Sequence, residues 1–355
     1  MRLKHRESVL SGLGFASLLF LAAALTLTRR PLERKDEMLA ASRLMKEAVK
    51  AVRDCRESRG LGIDPAKDIN FSGLIGLETS PITTSLGNLE AKRTTVNPNF
   101  AGLITLLLHQ AGVRRGDTVA IGASSSFPAL IIASLCAVRA LELRGFLICS
   151  LGASQWGANC PDFSWLDIWA CLDRSHLLSA GHVGLSLGGD GDAGKDMTPE
   201  GRALLLRLGQ ETGLPFLSEP NLEKNVRERL RIFEAAAGDA RIRAFINIGG
   251  GYANMGTDSE ILKVGPGLAE FSEIPPPERR GVIFEMAARR IPVIHLLYVK
   301  GLCDRYGLPW DPSPLPEPGQ GALFEKKEVD SLSFLILAGA YFLLIAIVLA
   351  IGARS

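Results

Sequence analysis

This chain lacks the cysteine spacing of a metal site. Its six cysteines, Cys55, Cys136, Cys149, Cys160, Cys171 and Cys303, include no CxxC pair and no cluster with histidine, which argues against a zinc centre and against a disulfide framework. Cys136 and Cys149 lie in apolar runs, where a thiol acts as a small hydrophobe, so the cysteines leave the redox compartment open. An excess of charge of one sign is also missing. Forty Lys and Arg against 38 Asp and Glu leave a formal charge of +2, and no nucleic-acid partner is expected. No internal repeat is visible. Gly189-Asp-Gly-Asp-Ala-Gly-Lys-Asp approaches P-loop spacing but puts Asp196 where a hydroxyl should meet Mg²⁺, and Asp190 and Asp192 would repel phosphates. The same acids fail as an EF-hand, with Gly201 where the bidentate Glu belongs. Two readings are left: a looser divalent-cation site on Asp190 and Asp192, or a solvated loop. The glycines of Asn247-Ile-Gly-Gly-Gly-Tyr-Ala-Asn do not fall as G-x-G-x-x-G, and no cofactor is singled out.

Two uncharged stretches are present instead, Val9–Thr28 and Ser331–Ala353. Each is long enough to cross a hydrocarbon core about 30 Å thick as a helix. The first follows a basic start but lacks an A-x-A cleavage site, which favours an uncleaved signal anchor. Basic residues nearly balance across it, Arg2, Lys4 and Arg6 on one side and Arg29, Arg30, Arg34 and Lys35 on the other. At the far end Lys326 and Lys327 precede the second span. Because long domains translocate largely regardless of charge, both tails are expected inside and the large domain outside. The division read from the 355 residues is an anchor helix over 1–30, a juxtamembrane helix and polar loop over 31–96, an α/β domain over 97–308, a Pro/Gly-rich linker over 309–330, and a second membrane helix over 331–355.

Within the middle, Glu33–Arg59 has near-3.6 apolar spacing and predicts an amphipathic helix. From Asn97-Pro98 onward, helices alternate with short, mostly apolar strands at Thr118–Ile121, Gly145–Leu151, Val183–Leu187, Leu214–Leu217, Ile242–Ile248 and Pro292–Tyr298. Strands apolar on both faces, separated by helices, predict a Rossmann-like, doubly wound, mostly parallel sheet.

Ligands of such sheets collect at the carboxyl ends of the strands. Gly122-Ala-Ser-Ser-Ser at a strand-to-helix turn offers free N–H groups and hydroxyls to an anion, through Ser125 and Ser126. It also approaches the G-x-S-x-G elbow, so that Ser124, with Asp258 and His295, follows the chain order of a hydrolase triad; yet Ser126 replaces the final Gly, and His295 lies inside an apolar strand. Ser154, Asn247, Gly250 and Asn254 occupy loops expected at the same rim. The polar segment Leu77–Phe100 adds Glu78, Lys92 and Arg93, of which the two cations suit a carboxylate or phosphate.

At these residues the chain resembles the bacterial poly-gamma-glutamate system protein family. The matching stretches are IGLETSPITTSLGNLEAKRTTVNPNFA, GASSSFPALI, SLGASQWGANCPDFSWLD, INIGGGYANMGTD and VIHLLYVKGLCDRYGLPWDP. The resemblance implies a two-pass protein of the bacterial plasma membrane, associated with making or exporting poly-γ-glutamate, an anionic capsule or released polymer. It supplies no catalytic residues. Three functions follow as expectations: an accessory protein binding the polymer or its synthase and export partners, a serine-dependent amide hydrolase or transferase acting on the polymer, and a membrane scaffold without a ligand.

Overall fold

The computed structural model describes residues 2–27, 29–31, 34–178, 181–325 and 327–354. Thr28, Glu33 and Lys326, named above, lie outside them. The helices that matter are α1 Arg2–Leu27, α2 Lys35–Ser58, α3 Leu89–Thr95, α4 Asn99–Gln110, α5 Pro128–Ala140, α6 Trp165–Arg174, α7 Pro199–Glu211, α8 Leu222–Ala237, α9 Val282–Ala288, α10 Val299–Tyr306 and α11 Ser331–Arg354. They fall in two units, one of residues 1–35 with 324–355 and one of residues 36–323.

In the first unit α1 and α11 lie side by side. Phe20 stacks on Tyr341 at 4.4 Å, and the Ser17 and Tyr341 hydroxyls are 2.7 Å apart. An antiparallel ribbon joins Arg29–Pro31 to Lys327–Val329. The windows Leu10–Leu27 and Ser331–Ala350, with mean hydropathies of 2.0 and 2.7, are long and apolar enough to cross a membrane. Most of their leucines and phenylalanines, Leu18, Leu335 and Phe342 among them, are exposed.

The second unit is built on a seven-stranded sheet. Its strands are β1 Thr118–Ser124, β2 Arg144–Ser150, β3 His182–Ser186, β4 Phe216–Leu217, β5 Ile242–Ile248, β6 Gly267–Leu268 and β7 Val293–Leu296, in the order β4-β3-β2-β1-β5-β7-β6. All neighbours are parallel except β6, which runs antiparallel at the edge beside β7. Two residues carry no periodicity, so β6 has no signal in the sequence. The other strands are apolar because both faces are covered. Ala120, Ile148, Phe245 and Val293 pack under α8 and α9. The alternate residues Val119, Ile121, Leu147 and Ile246 are fully buried on the opposite face, where α5 crosses β1, β2 and β5 and packs on α4.

The segments flanking the α/β region belong to the same unit. On α2, Met38, Ala41, Met45, Ala48 and Val52 are completely buried at helical spacing. The stretch expected as a Pro/Gly-rich extended linker is docked as far as Gln320. Asn99 Nδ2 donates to the carbonyls of Glu317 and Gln320, and its Oδ1 accepts from Gly319 N–H. The prolines there forbid helix but leave carbonyls free for such bonds.

Cysteine spacing also misled. Cys55 on α2 and Cys171 on α6, 116 residues apart, form a disulfide, while Cys136, Cys149, Cys160 and Cys303 are free. The pair joins two helices that only tertiary folding brings together, so no local spacing announces it. A cross-link closing so long a loop contributes about 2–4 kcal/mol. Unfolded without reductant, the chain is expected to titrate four thiols, and six after reduction. Six under both conditions would remove the bond.

Candidate active site

In sequence order the six parallel strands wind outward from β1 in one direction and from β5 in the other, so the crevice between them marks the place where open sheets bind ligands. A cleft of about 900 Å³ opens at their carboxyl ends. The turn after β1 supplies Ser124, Ser126 and Phe127 to its wall, and the turn after β5 supplies Gly250, Gly251 and Tyr252.

The segment before α4 reaches this rim as an added strap. Thr84 N–H donates to Ala153 O, Gln155 N–H to Ser85 O and Trp156 N–H to Leu77 O. Buried Asn159 clamps both polar groups of Leu77, accepting from its N–H at 2.8 Å and donating to its carbonyl at 2.8 Å. A Cβ at Gly201 would stand 1.9 Å from Pro81 O, so the strap passes only over glycine there. The strap then starts α3, whose N-cap Asn88 accepts from Ala91 N–H at 2.7 Å. This helix, expected as loop, carries Lys92 inward. The Asn88 cap with Glu90 in the first turn is the signal that could have revealed it.

Lys92 is 3% exposed. Its Nζ donates to Ser126 O at 2.5 Å, lies 2.8 Å from Ser154 Oγ, and sits 3.6 Å from the centre of the Phe127 ring. No carboxylate pairs with it among the described residues, and burial pulls its ammonium down to about 7. The hydroxyls around it form a chain. Ser124 Oγ donates to Ser126 Oγ at 2.9 Å, and Ser126 Oγ also accepts from Ser154 N–H at 2.9 Å. Asp190 and Asp196 line the same cleft, and desolvation raises the Asp196 carboxyl above its usual range.

The cleft therefore gathers Lys92, Ser126, Ser154, Ser124, Gly250 and Asp190 from the residues singled out in the sequence. It does not gather the others. Arg93 is spent on Asp311, with Nε donating to Oδ1 at 2.8 Å and Nη2 to Oδ2. Glu78 is exposed outside the cleft. Ser125 turns its hydroxyl to Ser150 O at 2.6 Å, and buried Asn254 sits over Gly122. Asn247 donates to Gly249 O and to His295 Nδ1, at 2.9 and 3.0 Å.

That last contact removes the triad. His295 is aligned with Asn247, and Asn247 with Gly122, so the imidazole lies two strands, about 10 Å, across the sheet from Gly122 and below Ser124. With Asn247 Nδ2 donating, Nδ1 accepts and the ring proton sits on Nε2; burial lowers the imidazole to about 4, leaving it neutral. Asp258 caps Glu260 N–H and faces Arg279. Ser124 thus has no histidine base, because a register fixed by β7 buries His295 in mid-strand.

The cation site on Asp190 and Asp192 is likewise corrected. Asp192 is buried against Arg229 at 2.5 Å and accepts from Ser186 and Asn225, while Asp190 is exposed at the cleft. No group of three metal-ligating acids, histidines or cysteines exists among the described residues.

No family model matches the chain, and neither a curated protein nor a solved structure does. Sequence reasoning placed Lys92 and Ser154 in one site but missed that they touch. It also missed Asn159 and Asp311, and it weighed Asp196 only as a cation or phosphate position.

Proposed function

We propose that this is a two-pass membrane protein whose cleft binds an anionic amino-acyl chain, poly-γ-glutamate being the polymer to which the sequence resemblance points. The observation that carries this reading is Lys92, a buried amine on the wall of an open cleft with no counter-charge among the described residues. A ligand carboxylate would supply that charge, and serine hydroxyls surround the position. Asp190 and Asp196 on the same wall suit the ammonium of a chain terminus. The strand order and the crevice at its reversal support a Rossmann-like, doubly wound sheet.

The two apolar terminal helices support a membrane anchor, with an even number of spans placing both ends on one side. The Cys55–Cys171 bond supports an extracytoplasmic position for the domain, since disulfides persist in oxidising compartments. Calorimetric titration of the full-length protein in detergent with γ-linked glutamate oligomers is expected to show saturable binding. Absence of binding would end the ligand reading.

A further inference from the structure

We infer that Ser154 is a nucleophile with Lys92 as its base, and that the cleft performs acyl transfer on an ester or amide carbonyl. This rests on the reading that an acyl chain enters the cleft. A hydroxyl attacks a carbonyl only when a base within hydrogen-bond reach takes its proton, and a neutral lysine serves where no histidine is placed. Lys92 Nζ lies 2.8 Å from Ser154 Oγ, and no other acceptor for the Ser154 proton is in range among the described residues. The polarity of that bond depends on the lysine. Charged, Lys92 donates to Ser154; neutral, it accepts the serine proton while still donating to Ser126 O.

The surroundings keep the neutral form accessible. Desolvation brings the amine to about 7. The other titratable groups on the cleft wall are Asp190, Asp196, Tyr252, Tyr298 and Lys300; none is hydrogen-bonded to Nζ, and Lys300 is paired with Asp304. On α3 itself, Arg93 is held by Asp311, and Glu90 forms no ion pair with Lys92 among the described residues. Ser126 completes the arrangement. Its oxygen accepts from Ser124 Oγ and Ser154 N–H, which uses both lone pairs and leaves its own proton for an oxyanion.

In the step, Ser154 Oγ bonds to the carbonyl carbon as its proton passes to Lys92 Nζ and the carbonyl electron pair moves onto oxygen beside Ser126. The carbonyl re-forms, the bond to the leaving nitrogen or oxygen breaks with its electron pair, and Lys92 gives that atom the proton. Water or an acceptor amine then attacks the acyl-serine, its proton going to Lys92 and from there back to Ser154. With water the product is a carboxylic acid whose proton passes to Lys92, and the carboxylate so formed pairs with the charged lysine, so one lysine serves chemistry and product binding in turn.

The test is covalent labelling of the full-length protein in detergent with a fluorophosphonate, read by intact mass and peptide mapping. The expected result is a single adduct on Ser154, forming faster as pH rises through about 7 and slowed about 100-fold or more by Lys92→Met. Ser154→Cys guards against misfolding, since its thiol is expected to alkylate with the same dependence on Lys92. No adduct beyond that of the heat-unfolded chain, or labelling indifferent to Lys92→Met, overturns the dyad. Saturable oligomer binding without an adduct removes the chemistry and leaves the ligand reading standing. An adduct on Ser154 without oligomer binding upholds the dyad and removes that ligand.

Discussion

Replacing Lys92 by Met is expected to stabilise the empty protein while abolishing capture of glutamate oligomers. In the fold its pKa is about 7, against 10.5 for a free lysine. Between those values the unfolded chain binds the extra proton, so stability falls as pH drops from about 10.5 to about 7, and the penalty is complete below that. At 1.36 kcal/mol per pKa unit the burden is about 5 kcal/mol. Met fills the same space without charge. Against that gain stand the two hydrogen bonds lost, one of them to the Ser126 carbonyl, at about 2–4 kcal/mol together. The balance is a gain of about 1–3 kcal/mol at pH 7, or several degrees in thermal midpoint, and it turns into a loss of about 1–3 kcal/mol at pH 9.5, where only about 1.4 kcal/mol of the burden remains. Thermal melts at the two pH values check this, and a variant less stable than the parent at pH 7 would refute the unpaired-lysine description. A site that is held at a cost in stability is what function commonly requires.

Arg229→Met is expected to produce the largest loss, about 3–5 kcal/mol in denaturant unfolding. Arg229 and Asp192 are 4% and 3% exposed. Arg229 Nε donates to Asn225 Oδ1 at 2.8 Å and Nη2 to Ser186 Oγ at 2.9 Å, while Asp192 accepts from Ser186 Oγ at 2.8 Å and Asn225 Nδ2 at 3.0 Å. Removing the guanidinium strands a carboxylate away from water. The double variant Asp192→Leu with Arg229→Met removes both charges and is expected to recover most of the loss. A double variant as unstable as the single one would show that packing, not the uncompensated charge, sets the effect. Because this pair anchors the loop after β3, which brings Asp190 and Asp196 to the cleft, the single variant is also expected to weaken oligomer binding.

What could be read along the chain was whatever depends on near neighbours. Long uncharged runs mark α1 and α11, apolar strands between helices mark a parallel sheet, and a parallel sheet implies a rim at which Ser126, Ser154 and Gly250 meet. These follow because helix and strand periodicity is written locally and buried strands must be apolar on both faces. Tertiary structure decided which groups touch. Lys92 and Ser154 are 62 residues apart, Cys55 and Cys171 are 116, and Arg93 and Asp311 are 218. Arg93 and Lys92 are adjacent and equally cationic, yet helical geometry turns one to Asp311 and buries the other beside serines. His295 was lost as a base for the same reason, since strand register, not chain order, sets its height in the sheet. Contacts across such separations depend on how strands are ordered and where loops cross, and neither is encoded in any short window of sequence.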